Sequence, residues 1–307
     1  MERALRNRLT FGTMMLAGLF GLLWLDDVID RSTRHWMQAH FGVKYGIGGV
    51  GLMLVMLVFL PIAVVELAYL FTAEHVRPYR FIASLGAGAL ALHAFLTQFP
   101  PFAPIAASTL AFIVVFTMLL AALRRAWDQQ TQDAIVRMAG TVLATLYLGG
   151  LAWFIMAIRV KHSNVSDLHK GFHGSTLVVL VILVVVKSTD IGAYFGGRAF
   201  GRHKLIPWLS PGKTWEGLFF GLLTSALIAV AFSRAIHQAY WKAALFGACI
   251  GAVGQIGDLL ESLMKRDAEV KDSGKLIPGF GGVLDVIDSP LFASPFAYLW
   301  LSFWFRQ

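Results

Sequence analysis

The sequence predicts an all-α, polytopic membrane protein with about nine transmembrane helices and a cytoplasmic N-terminus. Hydrophobic residues make up 57% of its 307 residues. Only 14% are charged, whereas a soluble domain carries about 25% charged residues. The apolar residues are gathered into runs close to the roughly 20 residues that a helix needs to cross a bilayer. Composition and run length therefore favour a membrane protein over a soluble domain.

Nine apolar runs are candidate transmembrane helices. They lie near residues 9–25, 46–71, 80–98, 102–123, 136–158, 175–197, 215–233, 241–264 and 290–305. The first run follows three arginines, as in a signal peptide, but no small-residue cleavage site follows it. We therefore expect it to be a retained span. Arg159 follows the fifth run, and we expect it in an outer loop.

The distribution of basic residues predicts the orientation. More Lys and Arg fall in cytoplasmic loops if the N-terminus is cytoplasmic, as the positive-inside rule requires. This orientation places the loops 198–214 and 265–289 together in the cytoplasm. We also expect the chain to divide into two regions. Residues 1–160 form N-terminal transmembrane helices. Residues 161–307 form a C-terminal catalytic transmembrane region, because its loops are richer in Gly, Pro, Lys and Asp.

Charge and cysteine content limit the classes of partner. The net charge of +8 comes from basic residues in short loops between apolar runs. That placement fits membrane topology better than nucleic-acid binding. The one cysteine, Cys249, cannot form an internal disulfide. We expect an integral protein of the cell (inner) membrane, with the lipid bilayer and no nucleic acid among its partners, and a site that faces the cytoplasm.

Two motifs have simple structural explanations. Residues 46–51 read GIGGVG and match G-x-G-x-x-G, but a dinucleotide site would need a preceding strand and a βαβ unit. Small residues that let helices approach closely are the favoured interpretation. His169 and His173 are four residues apart and could share a metal ion, but no further ligand accompanies them. A solvated loop is favoured there.

The loop at residues 201–217 suits an anion. Ser210 to Thr214 read as a turn followed by a helix start, where hydroxyls, free amides and Lys213 could bind an anionic oxygen. The Walker A spacing is missing. Just upstream, Lys187 and Asp190 lie three residues apart near the inner end of a span. They read equally well as a functional pair that faces a cavity and as a pair that neutralises itself.

The last two spans are joined by a segment rich in carboxylates. At helical spacing, one face of the eighth span carries Asp258, Glu261, Ser262 and Lys265. Asp285 and Asp288 are three residues apart and would project to one side of a helix. The connector SGKLIPGFGG is flexible enough to bring them back towards Asp258.

Carboxylates interspersed with Lys and Arg predict a phosphate and metal site. Magnesium commonly takes one or two carboxylates plus substrate phosphates, and basic side chains suit the remaining phosphate charge. Phosphoryl or nucleotidyl transfer needs positioning and charge neutralisation more than covalent help from the protein. The alternative is a juxtamembrane basic segment that binds anionic lipids, and the interspersed aspartates count against it.

Residues 262–288 resemble the signature of the phosphatidate cytidylyltransferase (CDP-diacylglycerol synthase) family. The family pattern reads S-x-x-K-R-x4-K-D-x5-P-G-H-G-G-x-x-D-R-x-D, and this chain matches it at Ser262, Lys265, Arg266, Lys271, Asp272, Pro278, Gly279, Gly281, Gly282, Asp285 and Asp288. Residues 188–217 resemble a second conserved region of the family, matched at Asp190, Ser210, Lys213 and Glu216. Phe280 stands where the pattern has His, and Val286 stands where it has Arg.

The resemblance implies that CMP is transferred from CTP to phosphatidate, giving CDP-diacylglycerol and pyrophosphate in phospholipid biosynthesis. It implies Mg²⁺ as the cofactor, with Mn²⁺ as the alternative ion, and it leaves open a second cation and a homodimer. The implied catalytic residues are Asp258, Lys265, Arg266 and Asp285, of which Asp258 and Asp285 would hold the metal. The implied substrate-binding residues are Asp190, Ser210, Lys213, Glu216, Lys271, Asp272 and Asp288.

Three other functions remain as alternatives. A related nucleotidyltransferase would use another lipid phosphate, such as one of isoprenoid type. A non-catalytic homologue would bind anionic lipid without needing CTP or Mg²⁺. The departures at Phe280 and Val286 weaken the case for ordinary activity, but the retained carboxylates and the Lys265–Arg266 pair favour a variant that remains an enzyme. A transporter is the weakest alternative, because it would need charges deep within several spans and most charges here lie at the inner rim.

Overall fold

The computed structural model describes residues 2–161, 174–235 and 238–304, and these ranges are mainly helical. Their α-helices are α1 (Glu2–Phe41), α2 (Val50–Phe71), α3 (Arg80–Leu96), α4 (Ala106–Trp127), α5 (Ala134–Ala144), α6 (Leu151–Lys161), α7 (Gly174–Phe200), α8 (Trp215–Ala231), α9 (Tyr240–Asp267) and α10 (Leu284–Trp304). A π-helical stretch, Thr145–Gly150, joins α5 to α6. His169 and His173 lie outside the described residues.

The helices confirm a polytopic, mainly α-helical membrane protein. Every predicted apolar run coincides with helix, and α5, the π-helical stretch and α6 together cover the fifth run. Within the described ranges, six helical segments are long and apolar enough to cross a membrane, and α3 and α8 are shorter apolar helices. The count of about nine spans and the cytoplasmic N-terminus stay predictions. One two-stranded hairpin interrupts the helices, so the fold is not purely α.

Helix α1 extends beyond the predicted first span, residues 9–25, at both ends, and its continuation to Phe41 contains buried acidic residues. Asp26 and Asp30 lie fully inside, where Arg159 binds both. Its Nε is 2.7 Å from Asp26 Oδ2 and its Nη2 is 3.1 Å from Asp30 Oδ2. The expected outer-loop position of Arg159 is therefore wrong, since this residue is completely buried within α6. Opposite charges and hydrogen bonds compensate the loss of hydration.

The glycine motif at residues 46–51 packs around this ion cluster. The Gly46 amide donates to Asp30 at 3.1 Å, and the Gly51 amide donates to Asp26 at 3.1 Å. A Cβ at Gly51 would lie 2.7 Å from the Leu22 carbonyl oxygen, too close for any side chain. The prediction that these glycines let helices approach closely is confirmed. In addition, their backbone amides donate hydrogen bonds to the buried aspartates.

The chain divides into two compact units. The first comprises Met1–Lys161 and Asp267–Val286, and the second comprises His162–Arg266 and Ile287–Gln307. The segment Asp267–Val286 is thus grouped with the N-terminal helices, and the predicted division into residues 1–160 and 161–307 stays a prediction. Assigning catalysis to the C-terminal region stays a prediction.

Small residues set the helix packing in both units. In the first, a Cβ at Gly149 would lie 2.9 Å from Ala87 Cβ, so the π-helical stretch packs closely against α3. In the second, α7 and α8 pack along most of their length. A Cβ at Gly217, in the first turn of α8, would lie 2.8 Å from the Ala193 carbonyl oxygen of α7. Close backbone approach of this kind is typical of membrane helices, and here it fixes the start of α8 against the end of α7.

Candidate active site

A β-hairpin precedes α8 in the second unit. Strand β1, Lys204–Ile206, pairs antiparallel with β2, Ser210–Thr214. The prediction of a turn at Ser210 to Thr214 is wrong, because these residues pair with β1 and the turn lies before them. The predicted helix start is confirmed, since the Thr214 hydroxyl accepts a hydrogen bond from the Gly217 amide at 3.0 Å and caps α8.

Glu216, predicted to bind substrate, holds the base of this hairpin. Its carboxylate accepts hydrogen bonds from the amides of Arg202 and His203 at 3.1 and 3.2 Å. The Nδ1 atom of His203 lies 2.6 Å from its Oε1. These contacts, led by the His203 side chain, lower the pKa of Glu216 to about 2. The carboxylate therefore stays ionised and ties the hairpin to the first turn of α8.

Lys213 and Asp258, predicted as substrate-binding and metal-binding residues, form an ion pair. Lys213 lies on β2, and Asp258 lies in the last third of α9. Both side chains remain partly exposed, at 20% and 34% respectively. The Nζ atom of Lys213 is itself buried, so the pair is only partly open to solvent.

Asp190 lies on α7 and contacts two side chains of the second unit. Gln255 donates a 2.6 Å hydrogen bond to Asp190 Oδ1. Lys187 Nζ is 3.9 Å from Asp190 Oδ2, at the limit of an ion pair. The pair of Lys187 with Asp190 thus exists, and Asp190 is also hydrogen-bonded to α9. Its predicted role in substrate binding stays a prediction.

Three carboxylates meet in the second unit: Asp258 and Glu261 of α9 and Asp288 of α10. One oxygen from each lies within 4.8 Å of the others. Glu261 and Asp288 are buried, with 1% and 3% exposed. Lys265 lies 2.8 Å from Glu261 through Nζ and Oε2, on the helical face that the sequence predicted. Burial is the main cause that raises the pKa of Asp288, and the positive charge of Lys187 opposes it.

The donor set suits a divalent cation. All three ligands are oxygens, which Mg²⁺ and Mn²⁺ prefer. Asp288 Oδ2 is buried and has no hydrogen-bond partner among the described residues. A buried carboxylate oxygen without a donor is costly, and a cation would remove that cost. The residues present therefore fit a bound metal ion.

Asp285, the other predicted metal ligand, belongs to the first unit. It follows Leu284 at the start of α10, where the predicted helix is confirmed. Its Oδ2 accepts hydrogen bonds from the Ser273 amide at 3.0 Å, the Ser273 hydroxyl at 2.8 Å and the Gly282 amide at 2.7 Å. These donors fix its orientation. Its pairing with Asp258 in one metal site stays a prediction.

The remaining predicted residues lie on exposed polar segments. Arg266 is exposed at the end of α9, and its Nε is 3.4 Å from the Leu209 carbonyl oxygen in the same unit. Lys271 and Asp272 are exposed in the first unit. Their side chains face solvent, so they are accessible to a ligand, and their substrate-binding roles stay predictions.

Phe280, which replaces the family histidine, lies in a tight glycine turn of the first unit. Gly279 and Gly281 have φ of +87° and +99°, a region that favours glycine. The Phe280 amide donates to the Ile277 carbonyl at 3.0 Å. A Cβ at Gly12 would lie 3.3 Å from Phe280 Cζ, so the ring lies beside α1.

Sequence reasoning missed Glu66 and Gln255 and gave Glu261 no role. Glu66 is buried in α2 and contacts the segment from Ser273 to Leu284 of the first unit. A carboxylate inside an apolar run is unusual enough to be a signal, because a charge there needs a partner. No pattern of spacing links Glu66 to residues more than 200 positions later.

Comparison with known proteins identifies the family. A family model described as "Cytidylyltransferase family" matches residues 31–304. A phosphatidate cytidylyltransferase of Haemophilus influenzae is 40% identical over 148 residues, covering 46% of this chain and 50% of the relative. One from Synechocystis is 37% identical over 188 residues, covering 55% and 64%. The uncharacterized protein YnbB of Escherichia coli is 36% identical over 165 residues, covering 53% and 52%.

The relatives and the family model match different shares of the chain. The chain spans about half the length of the curated relatives that it matches. The family match, by contrast, covers nearly the whole chain, including the hairpin, the three carboxylates and the segment around Asp285. The chain belongs to the cytidylyltransferase family.

Proposed function

We propose that this protein transfers CMP from CTP to phosphatidate, producing CDP-diacylglycerol and pyrophosphate for phospholipid biosynthesis. The observation that carries the proposal is the second unit's partly exposed Lys213–Asp258 pair, whose Asp258 is grouped with the carboxylates Glu261 and Asp288. Family membership and the phosphatidate cytidylyltransferase relatives support the choice of substrates.

Asp258, Glu261 and Asp288 are the residues of the second unit that would hold Mg²⁺ or Mn²⁺. When bound, the ion would supply positive charge that neutralises the phosphates. Asp285 is retained as a proposed further ligand, since the family signature matches at this position. A single Mg²⁺ usually takes one or two carboxylates from a protein. Asp285 and the three carboxylates exceed that number, so we propose that a second cation could also bind.

The reaction needs charge neutralisation more than proton transfer. A phosphate oxygen of phosphatidate attacks the α-phosphorus of CTP, and a new P–O bond forms. The bond from that phosphorus to the oxygen bridging the α- and β-phosphates breaks, and its electron pair leaves with pyrophosphate. The nucleophile is already an anion, so no general base is required. Lys213, Lys265, Arg266 and Lys271 are proposed to offset the phosphate charges.

Other residues are also proposed to contact substrate. Asp190 and Ser210 are proposed to bind the nucleotide end, and Asp272 is proposed to bind substrate near Lys271. Glu216 would act on substrate through the hairpin that it holds against α8. The protein is an integral membrane protein, and we propose the cell (inner) membrane with the site facing the cytoplasm. That orientation follows from the basic loops.

The test is pyrophosphate release by the purified full chain in detergent micelles that contain phosphatidate. We expect release only when CTP, phosphatidate and Mg²⁺ are all present, and chelation should stop it. Micelles with an isoprenoid-type phosphate are assayed in parallel. Faster pyrophosphate release with that lipid than with phosphatidate would identify it as the substrate instead. Absence of release with every lipid phosphate, in protein shown to be folded and monodisperse, would favour a non-catalytic lipid-binding function.

A further inference from the structure

Glu66 is a buried carboxylate in the last third of a membrane helix. It lies on α2, inside the candidate span Val50–Glu74, and only 8% of it is exposed. An ionisable group in such a segment is costly and usually has a specific partner. Glu66 is not among the residues proposed to bind the metal ion or the substrates, so its partners indicate what else it does.

The partners of Glu66 are the first residues of α10 and the loop before it. Oε1 accepts a hydrogen bond from the Val283 amide at 3.0 Å, and Oε2 accepts one from the Leu284 amide at 2.8 Å. The Ser273 Oγ lies 3.4 Å from Oε2. Free amides and the helix dipole at a helix N-terminus favour a negative charge. Glu66 therefore caps α10 from a different helix of the same unit.

The neighbouring glycines leave the room that this contact needs. A Cβ at Gly274 would collide with Glu66 Oε1, and a Cβ at Gly282 would lie 2.5 Å from Oε2. Any side chain at either position would push the carboxylate away from the amides. The glycines of this segment thus allow close backbone approach to Glu66.

Ser273 connects Glu66 to Asp285. Its hydroxyl has one proton, and the shorter distance, 2.8 Å, is to Asp285 Oδ2. The Ser273 and Gly282 amides donate to the same oxygen. The donors that orient Asp285 therefore belong to the segment that Glu66 holds. Displacing that segment would displace Asp285.

We propose that Glu66 is a positioning residue that holds the segment 273–285 and so keeps Asp285 in its orientation. The inference rests on the proposed function, in which Asp285 is a ligand of the metal ion. It also gives the N-terminal helices a part in catalysis, although the family signature lies entirely in the second half of the chain.

Substitution of Glu66 tests the proposal in the full chain. Glu66→Gln replaces an acceptor oxygen with an NH₂ group that faces a backbone amide. Glu66→Asp keeps the charge but shortens the reach by one methylene. We expect kcat to fall about 10- to 100-fold in Glu66→Gln, the usual effect of losing a residue that orients a metal ligand. Glu66→Asp should recover part of the loss, and the KM for CTP should change by less than about threefold.

A matched control separates positioning from general stability. Gln98 is another buried polar residue of the first unit, with hydrogen bonds to both backbone groups of Gly48. Gln98→Leu should lower the thermal unfolding temperature as Glu66→Gln does, but leave kcat per folded molecule unchanged. Equal kcat in Glu66→Gln and Gln98→Leu would assign Glu66 a purely structural role and overturn the proposal.

Trypsin cleavage supplies a readout that does not need turnover. Lys275 is exposed within the segment 273–285, and Lys271 is exposed two residues before it. Cleavage after them should be faster in Glu66→Gln than in wild type or Gln98→Leu. If wild type does not turn over phosphatidate, the proposed function fails, but faster cleavage would still support the restraint by Glu66. Unchanged cleavage would overturn it whether or not the wild type is active.

Discussion

The two compact units treat buried carboxylates differently. In the first unit, Asp26 and Asp30 are fully buried, and Arg159 and two glycine amides satisfy them. In the second, Asp258 is partly exposed and Asp288 Oδ2 has no donor among the described residues. The first arrangement is internally neutralised. The second has the unsatisfied carboxylate oxygen that the proposed cation would need.

This difference shows that residue types alone do not identify a site. Aspartates next to an apolar run occur in both units, and both sets are paired with a basic side chain. The two sets differ in the solvent exposure of their side chains and in whether each buried carboxylate oxygen has a hydrogen-bond donor. A buried, fully hydrogen-bonded pair supports the fold, whereas a partly open pair beside a buried carboxylate lacking a donor can exchange its partners for a ligand.

Asp258→Asn should have the largest effect on turnover. The substitution keeps the size but removes the charge that pairs with Lys213 and would hold the metal. We expect pyrophosphate release to fall about 10³-fold, comparable to the removal of a strong electrostatic group from a transition state. Initial rates with CTP, phosphatidate and Mg²⁺ measure it. Asp128→Asn, at an exposed pair with Arg124, is the control and should stay at the wild-type rate.

Arg159→Met should affect stability instead. It would leave two fully buried aspartates without their cation, which typically costs about 3–5 kcal/mol. We expect a lower unfolding temperature and less folded protein, with kcat per folded molecule close to wild type. Arg124→Met, which removes an exposed ion pair, should cost no more than about 1 kcal/mol. A strong loss of kcat in folded Arg159→Met would contradict the structural role of the first cluster.

Lys213→Gln should reduce activity less than Asp258→Asn. Loss of one charged hydrogen bond corresponds to about 10- to 100-fold, and we expect part of it as a higher KM for CTP. Lys204→Gln is the control, because Lys204 lies on the same hairpin and its Nζ bonds the Pro211 carbonyl at 2.7 Å. Equal losses in the two variants would mean that only the net charge of the hairpin matters.

Much of this comparison was predictable from the sequence, and the exceptions have physical reasons. Run length and composition predict the helices because every spanning segment must bury an apolar surface. The spacing of Asp258 and Lys265 predicts a shared helical face, since it depends on helix geometry alone. Arg159 was misplaced because its partners lie more than 120 residues away in α1. A charged residue at the end of an apolar run predicts a loop, and only its distant partners show that it is buried in a helix.

The hairpin and Glu66 were missed for related reasons. The short strand Ser210–Thr214 contains Pro and Gly, which usually predict turns, and only pairing with Lys204–Ile206 makes it a strand. Glu66 has no sequence neighbour of opposite charge, because backbone amides rather than a basic side chain satisfy it. Backbone donors leave no trace in a sequence pattern.

Phe280→His should have the smallest effect, although this position departs from the family signature. The turn is held by backbone hydrogen bonds and by glycines on both sides, and none of these involves the ring. The ring is 41% exposed and lies beside Gly12, so histidine would lose little apolar contact. Substitutions at such positions change stability by about 0.5 kcal/mol or less, so we expect turnover within about threefold of wild type. A gain of tenfold or more would instead show that the family histidine contributes to the reaction, and that the first unit supplies chemistry as well as position.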